Sequence, residues 1–340
     1  MSRDRTGRSP RRPRSLGRLG RLALAAATVS ALVASAGGCV VVHGEREVVP
    51  TTTRAEAARA LEDFTAAYNK ADAAYDRSAD ADRVTGPLAD IDGARLKAGR
   101  VVQPGGNPRH SALRFDDAGF SIPAKAGWPR WFVADATANK GVPGSRWLLV
   151  FTRNDAREPW QASYLTVLGA GDVPEFAKDE DGWARPVTAD DAALAVEPRE
   201  LGRSYAAYLR TGGDTFAPGV HTSQWRAQRE KFASRPGLAR QYMDQPLTSG
   251  DYAPVGLRTT DGGALVFFAT RRFEKETAAA GTAIPSPSAE VRALTTGEIN
   301  RSLTLEFVSN QVVLDPPKGS GRGQVSVLGR VEGLTGAKGE

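Results

Sequence analysis

Few side chains in this 340-residue chain have the type and setting to do chemistry, and the most telling is Cys39, its single cysteine. The thiol stands directly behind a run of small and apolar residues, where it is a nucleophile able to take up a diacylglyceryl group as a thioether. The three histidines are His43, His110 and His221. His110 with Asp116 or Asp117, and His221 with Asp214, have the residue types of a proton-transfer pair. Nothing in their spacing requires that role, and surface loops account for them. There is no His-Glu-x-x-His, no paired-cysteine spacing, no Gly-x-Ser-x-Gly elbow and no glycine-rich phosphate loop after a strand. No catalytic residue, metal ligand or cofactor is therefore assigned. Asp90-Ile91-Asp92-Gly93 fails as a calcium loop because Leu88 and Gly99 occupy its end ligand positions, and Asp179-Glu180-Asp181-Gly182 fails at its start. Both read as solvated turns.

What precedes Cys39 has three parts. Arg3, Arg5, Arg8, Arg11, Arg12, Arg14, Arg18 and Arg21 form a basic start, Leu22 to Val33 is apolar but short for a membrane span, and small residues follow. The stretch Val33-Ala34-Ser35-Ala36-Gly37-Gly38-Cys39 resembles the bacterial lipobox. It departs from that pattern where Ala36 stands in place of the preferred Leu and Gly37 in place of Ala or Ser. The resemblance implies a lipoprotein signal over 1–38, lipidation of Cys39, and a tether over 39–53. The partner so implied is the membrane, through the N-terminal lipid on the extracytoplasmic face.

The signal also carries the charge. The chain holds 45 Lys+Arg and 39 Asp+Glu, and the first 38 residues contain eight Arg and one Asp, so 37 basic residues remain against 38 acidic ones. A near-neutral body without a basic face is not a nucleic-acid binder. The runs Arg226–Lys231 and Arg271-Arg272 are interrupted by acids and read as solvated surfaces. A single cysteine permits no intrachain disulfide, so burial must stabilise the folded part. Its length suits two domains, placed at 54–192 and 193–333 with a tail over 334–340.

Thr53-Arg54-Ala55-Glu56 has the form of a capping box, and Ala57, Leu61, Phe64, Tyr68, Ala71 and Tyr75 recur at helical spacing behind it. A turn-rich region beyond Asp82 leads to strands at 130–134, 146–152 and 161–168. Trp147-Leu148-Leu149-Val150-Phe151 is continuously apolar, as suits a central strand covered on both faces. A second round follows, with helices over 198–209 and 221–232 and strands at 255–258, 264–272, 302–308, 312–314 and 324–331. The segment 278–290, containing Pro285-Ser286-Pro287-Ser288, is a long loop. Arg258 to Arg271 echoes Ala134 to Arg153, especially Trp147 to Arg153, which reads as an internal repeat.

Helices first and antiparallel strands after, twice over, resemble the nuclear transport factor 2-like (cystatin-like) α+β fold. That resemblance implies helices lying across a curved antiparallel sheet around a conical pocket. The lipobox together with Trp128-Pro129-Arg130-Trp131-Phe132 and Trp147 to Arg153 is also similar to lipoproteins of high-GC Gram-positive bacteria. Trp128, Trp131, Trp147 and Trp160 are the candidates for lining a pocket or an interface, against the alternative that large rings fill the space under the sheet. The expected function is a lipid-anchored, non-catalytic binding or scaffolding module at the cell envelope, meeting an envelope protein or a small apolar ligand. The alternative is a small-molecule enzyme of isomerase or cyclase type working in the conical pocket.

Overall fold

The computed structural model describes residues 47–321 and 323–340. Cys39, His43, the signal over 1–38 and most of the tether lie outside the described residues. The compact unit spans Glu47–Glu340.

The Thr53 hydroxyl accepts from the Glu56 amide at 3.1 Å, as a helix N-cap should, and opens α1 (Arg54–Ala74). The Glu56 carboxylate reaches back to the Thr53 backbone N–H, as a capping box requires, and also accepts from the Thr52 hydroxyl at 2.8 Å and the Trp160 indole at 3.1 Å. Ala57, Leu61 and Phe64 bury the apolar stripe, and the helix stops at Tyr75, whose φ of 51° is left-handed. The region expected to be turn-rich contains a second helix, α2 (Gly86–Val102). Its sequence conceals it behind Pro87 and three glycines. Pro87 sits at the helix start, where its missing N–H costs nothing. Gly99 is required because a Cβ there would lie 2.4 Å from the Tyr75 ring. The acidic pair at 90–92, read as a solvated turn, is helical, and Asp92 is buried.

The first sheet has the order β2 (Phe115–Ser121), β4 (Arg130–Ala138), β5 (Ser145–Arg153), β6 (Gln161–Gly169), all antiparallel; a two-residue pair joins β1 (Val49–Pro50) to β3 (Ala124–Lys125). Residues on β5 alternate as a strand must: Leu149 and Phe151 meet α1, while Leu148 and Val150 face the other way.

After α3 (Leu201–Thr211) and α4 (Ser223–Phe232) comes a seven-stranded sheet. Its elements are β7 (Ser234–Arg235), β8 (Leu238–Leu247), β9 (Val255–Arg258), β10 (Ala264–Ala278), β11 (Thr295–Thr296), β12 (Ser302–Asp315) and β13 (Ser326–Gly339), with α5 (Ala289–Leu294) before β11. The order is β11-β13-β12-β10-β8-β7, and β9 pairs with β10. The expected break between 308 and 312 is absent, because Ser309, Asn310 and Gln311 continue the strand with their side chains hydrogen-bonded to neighbouring strands, although the Gln311 Oε1 is buried without a partner. Asn310 accepts from the Leu165 amide, and Gln311 donates to Thr270 and Ser309. The residues expected as a tail form the end of β13, and the Glu340 amide donates to the Ser302 carbonyl at 3.0 Å.

Three apolar cores result. One lies between α1 and the first sheet, one between the two sheets, and one between α3 and the second sheet. The layers thus run helix, sheet, sheet, helix, in a mixed α+β architecture. Trp131, Val133, Leu148, Val150 and Tyr164 of the first sheet share the middle core with Leu265, Phe267 and Val312 of the second. The sequence echo fares differently. Aligning Thr152-Arg153 with Thr270-Arg271 sets Val150, in the middle core, on Phe268, in the core under α3. With a side-chain period of two, that register is one residue out of phase and does not superimpose the halves.

Candidate functional site

The four candidate tryptophans are divided by the alternation of the strands. Trp131 is buried in the middle core, whereas Trp160 lies on the opposite face, edge-on to Phe132 at 4.9 Å. Trp147 is half-buried at the margin of the same helix-side core, edge-on to Phe115 at 5.7 Å. Trp128, half-buried in the loop before β4, has the Arg130 and Arg153 guanidiniums 4.9 and 5.6 Å from its ring. Arg153 also covers Trp160 at 4.6 Å and pairs with Glu56 at 3.1 Å, so it links those two indoles. Phe132 and Phe151 stack at 5.0 Å with Phe64 against them, and rings occupy the space under the first sheet.

Neither proposed His/Asp pair forms. The imidazole Nδ1 of His110 meets Asp72 at 2.7 Å, while Asp117 pairs with Arg146 at 2.7 Å. Asp72 also accepts from Arg95 at 2.6 Å; burial raises its carboxyl, but the bonds from His110 and Arg95 outweigh that and hold it low. His110 thereby ties the loop after α2 to the end of α1. Burial, then the Arg330 charge, lowers the half-buried His221 ring, and its backbone carbonyl accepts from the Tyr205 hydroxyl at 2.5 Å. Asp214 offers only its carbonyl, to Gln324 at 2.7 Å. Beside α2, burial and then the neighbouring Asp92 push the buried Asp80 carboxyl up to about 8.

The more distinctive chemistry lies in the two basic runs that sequence patterning assigned to solvent. Arg229 and Arg272 are only 6% and 3% exposed. Both surround Trp225, whose ring has the guanidiniums of Arg330, Arg229 and Arg272 at 4.4, 5.0 and 5.5 Å. Such charges survive burial only when paired. Arg229 donates twice to Asp244, at 2.5 and 2.8 Å, and Arg272 donates to Glu332 at 2.8 Å and Glu274 at 2.5 Å. A signal for Arg272 was present in the sequence. It continues the parity of Val266 and Phe268, the buried helix-side residues of β10.

On the outer side of this lattice, α3, α4 and β8 enclose an open cleft of about 560 Å³. Its walls include Ala206, Leu209, Met243 and Pro246, and its charged lining is Arg203, Arg210, Arg226 and Arg229 against Glu230 and Asp244. The α3 helix supplies the first two arginines one face apart by seven residues, and its end is fixed by Gly212, whose amide donates to the Tyr208 carbonyl at 2.7 Å. Arg226 lies over the Tyr208 ring at 5.6 Å. The arrangement is an open basic cleft with a partly apolar wall, suited to holding an anion rather than to moving a proton. Among the described residues no group of acids, histidines or cysteines is clustered to hold a metal ion, and no helix is long and apolar enough to cross a membrane.

A family model described as a domain of unknown function, DUF8094, matches residues 48–339. An uncharacterized lipoprotein of Streptomyces coelicolor is 62% identical over 340 residues, covering all of both chains. An uncharacterized lipoprotein of Streptomyces avermitilis is 61% identical, again over the whole of both. A second S. coelicolor lipoprotein is 26% identical over 200 residues, covering 57% of this chain and 56% of its own. No solved structure matches.

Proposed function

The chain belongs to the DUF8094 family, and from that premise we propose that it is a lipid-anchored extracytoplasmic protein, a non-catalytic binding or scaffolding module of the cell envelope. The observation that carries this reading is Cys39 behind its basic and apolar leader in a chain that aligns end to end with proteins named lipoproteins. In this reading Cys39 bears the lipid, and two acyl chains there give a stable anchor, since each buried methylene contributes about 0.8 kcal/mol and one chain alone is marginal. Residues 40–53 tether the body, and β1 fixes the end of the tether against β3.

Each half is read as a nuclear transport factor 2-like unit. Support comes from the order of two helices followed by a sheet in both halves, antiparallel in the first and antiparallel but for the short β11–β13 pair in the second, each with a helix packed on one sheet face. The non-catalytic reading is supported by the rings that fill the space under the first sheet and by the ion pairs that occupy the corresponding layer of the second. The partner surface proposed for the module is the basic cleft beside α3 and α4.

Mass spectrometry of the mature N-terminus tests the anchor. The expected peptide starts at Cys39 and carries a diacylglyceryl adduct, and a Cys39→Ala variant should move from the membrane to the soluble fraction. An unmodified peptide starting elsewhere, or a variant that still sediments with membranes, refutes the reading.

A further inference from the structure

We infer that the cleft between α3, α4 and β8 is a binding site for a phosphate group. Of the four guanidiniums that line it, those of Arg210 and Arg226 make no hydrogen bond or ion pair among the described residues. Arg203 has only a distant acid, Glu200 at 3.5 Å on its own helix. Arg229 is committed through both terminal nitrogens to Asp244, yet its Nε is buried with no partner. A buried N–H without an acceptor is a cost that a protein ordinarily avoids.

The charge in the cleft is unbalanced. Four arginines face Glu230 and Asp244, and Asp244 is already consumed by Arg229. In the rest of this near-neutral body most arginines turned inward have found a carboxylate, as Arg95, Arg146, Arg240 and Arg272 have. Here Arg203 and Arg210 are exposed and Arg226 is half-buried around a volume of about 560 Å³, which leaves a positive excess for an anion to neutralise. Guanidinium forks match the oxygens of a tetrahedral phosphate, which accepts several of them at once. Arg226 is pre-positioned by its stacking over Tyr208, so less freedom is lost on binding. The exposed Met243 and the Leu209 and Pro246 walls leave room for an apolar group attached to the phosphate.

This inference rests on the reading of the body as a binding module and is independent of what happens at Cys39. It is tested by calorimetric titration of the full chain in a nonionic detergent with inorganic phosphate, with diheptanoyl phosphatidic acid, and with diheptanoyl phosphatidylcholine as the electroneutral control. Saturable binding of phosphate alone identifies a free anion as ligand, and binding of phosphatidic acid only identifies a lipid headgroup; either supports the site. The Arg210→Gln/Arg226→Gln double variant should weaken that binding about tenfold or more, as loss of charge-assisted bonds requires. Glu230→Gln, which removes the competing acid, should tighten it. No binding of either phosphate probe, equal binding of the phosphatidylcholine control, or an affinity unchanged in the double variant overturns the inference. A chain that is lipidated at Cys39 yet binds neither probe loses this site and keeps its anchor.

Discussion

Asp80→Asn should stabilise this protein near neutral pH, and the reason lies in two carboxyl groups that share a buried site. Asp80 and Asp92 are 1% and 6% exposed, and an Oδ2 oxygen of each is buried without a donor from the described residues. Arg95 bonds Asp92 and not Asp80: the Asp92 Oδ1 accepts from Arg95 Nε at 3.0 Å and Nη2 at 2.8 Å. Asp80 must then hold the proton, and burial together with Asp92 pushes its carboxyl up to about 8. An aspartate in the unfolded chain titrates near about 3.9. Between those values the folded state binds more protons than the unfolded one, so stability falls as pH rises, fully present below the unfolded value and lost by about pH 8. Each pH unit in that window costs about 1.4 kcal/mol per such group, or about 2.7 kcal/mol from pH 5 to pH 7. An asparagine amide can donate to Asp92 as the acid proton does, and it does not titrate. Urea denaturation of wild type and variant at half-unit steps from pH 4.5 to pH 8 measures the difference. The variant's stability should gain on wild type steadily as pH rises. A stability difference independent of pH would refute the shared-proton argument, whatever its sign.

The remaining predictions concern packing and ion pairing. Asp244→Leu leaves the Arg229 charge buried without its partner and should cost about 3–5 kcal/mol, whereas the Arg229→Leu/Asp244→Leu pair should recover much of that loss; chemical denaturation of the double-mutant cycle reads the coupling. Gly99→Ala forces a Cβ to within 2.4 Å of the Tyr75 ring and should lower stability by about 1–3 kcal/mol, with Tyr75→Ala in the same chain relieving the clash, as melting temperatures would show.

How much of this was legible beforehand depended on whether a residue's fate was set locally. The helix opening at Thr53, the strands β4, β5 and β6, and the helices α3 and α4 follow from capping chemistry and from periods of 3.6 and 2, which act over a few residues. Cys39 and its leader are likewise a local pattern. The α2 helix was hidden because its glycines and Pro87 lower helix propensity, and it persists by packing on β6, β12, β13 and α5, partners distant in the chain. β8 was missed because polar residues stand on both of its faces, Arg240 and Asp244 on the half-buried one and Gln241 and Gln245 on the exposed one.

The candidate tryptophans show the same division. Composition announced that large rings must be accommodated, but the parity of β4 put Trp131 between the sheets while Trp160 packed under α1. Charge counting along the chain made Arg229 and Arg272 solvated, because a sequence cannot show that Asp244 and Glu332 will arrive beside them. What the sequence by itself determined is the address motif, the near-neutral body and the order of helices and strands, all readable from neighbouring residues. The stacking of two sheets over one core, the buried arginine lattice and the open basic cleft were decided by tertiary structure. Their energies come from contacts between segments that no local pattern relates, and only folding establishes which charges meet a partner and which are left facing a cleft.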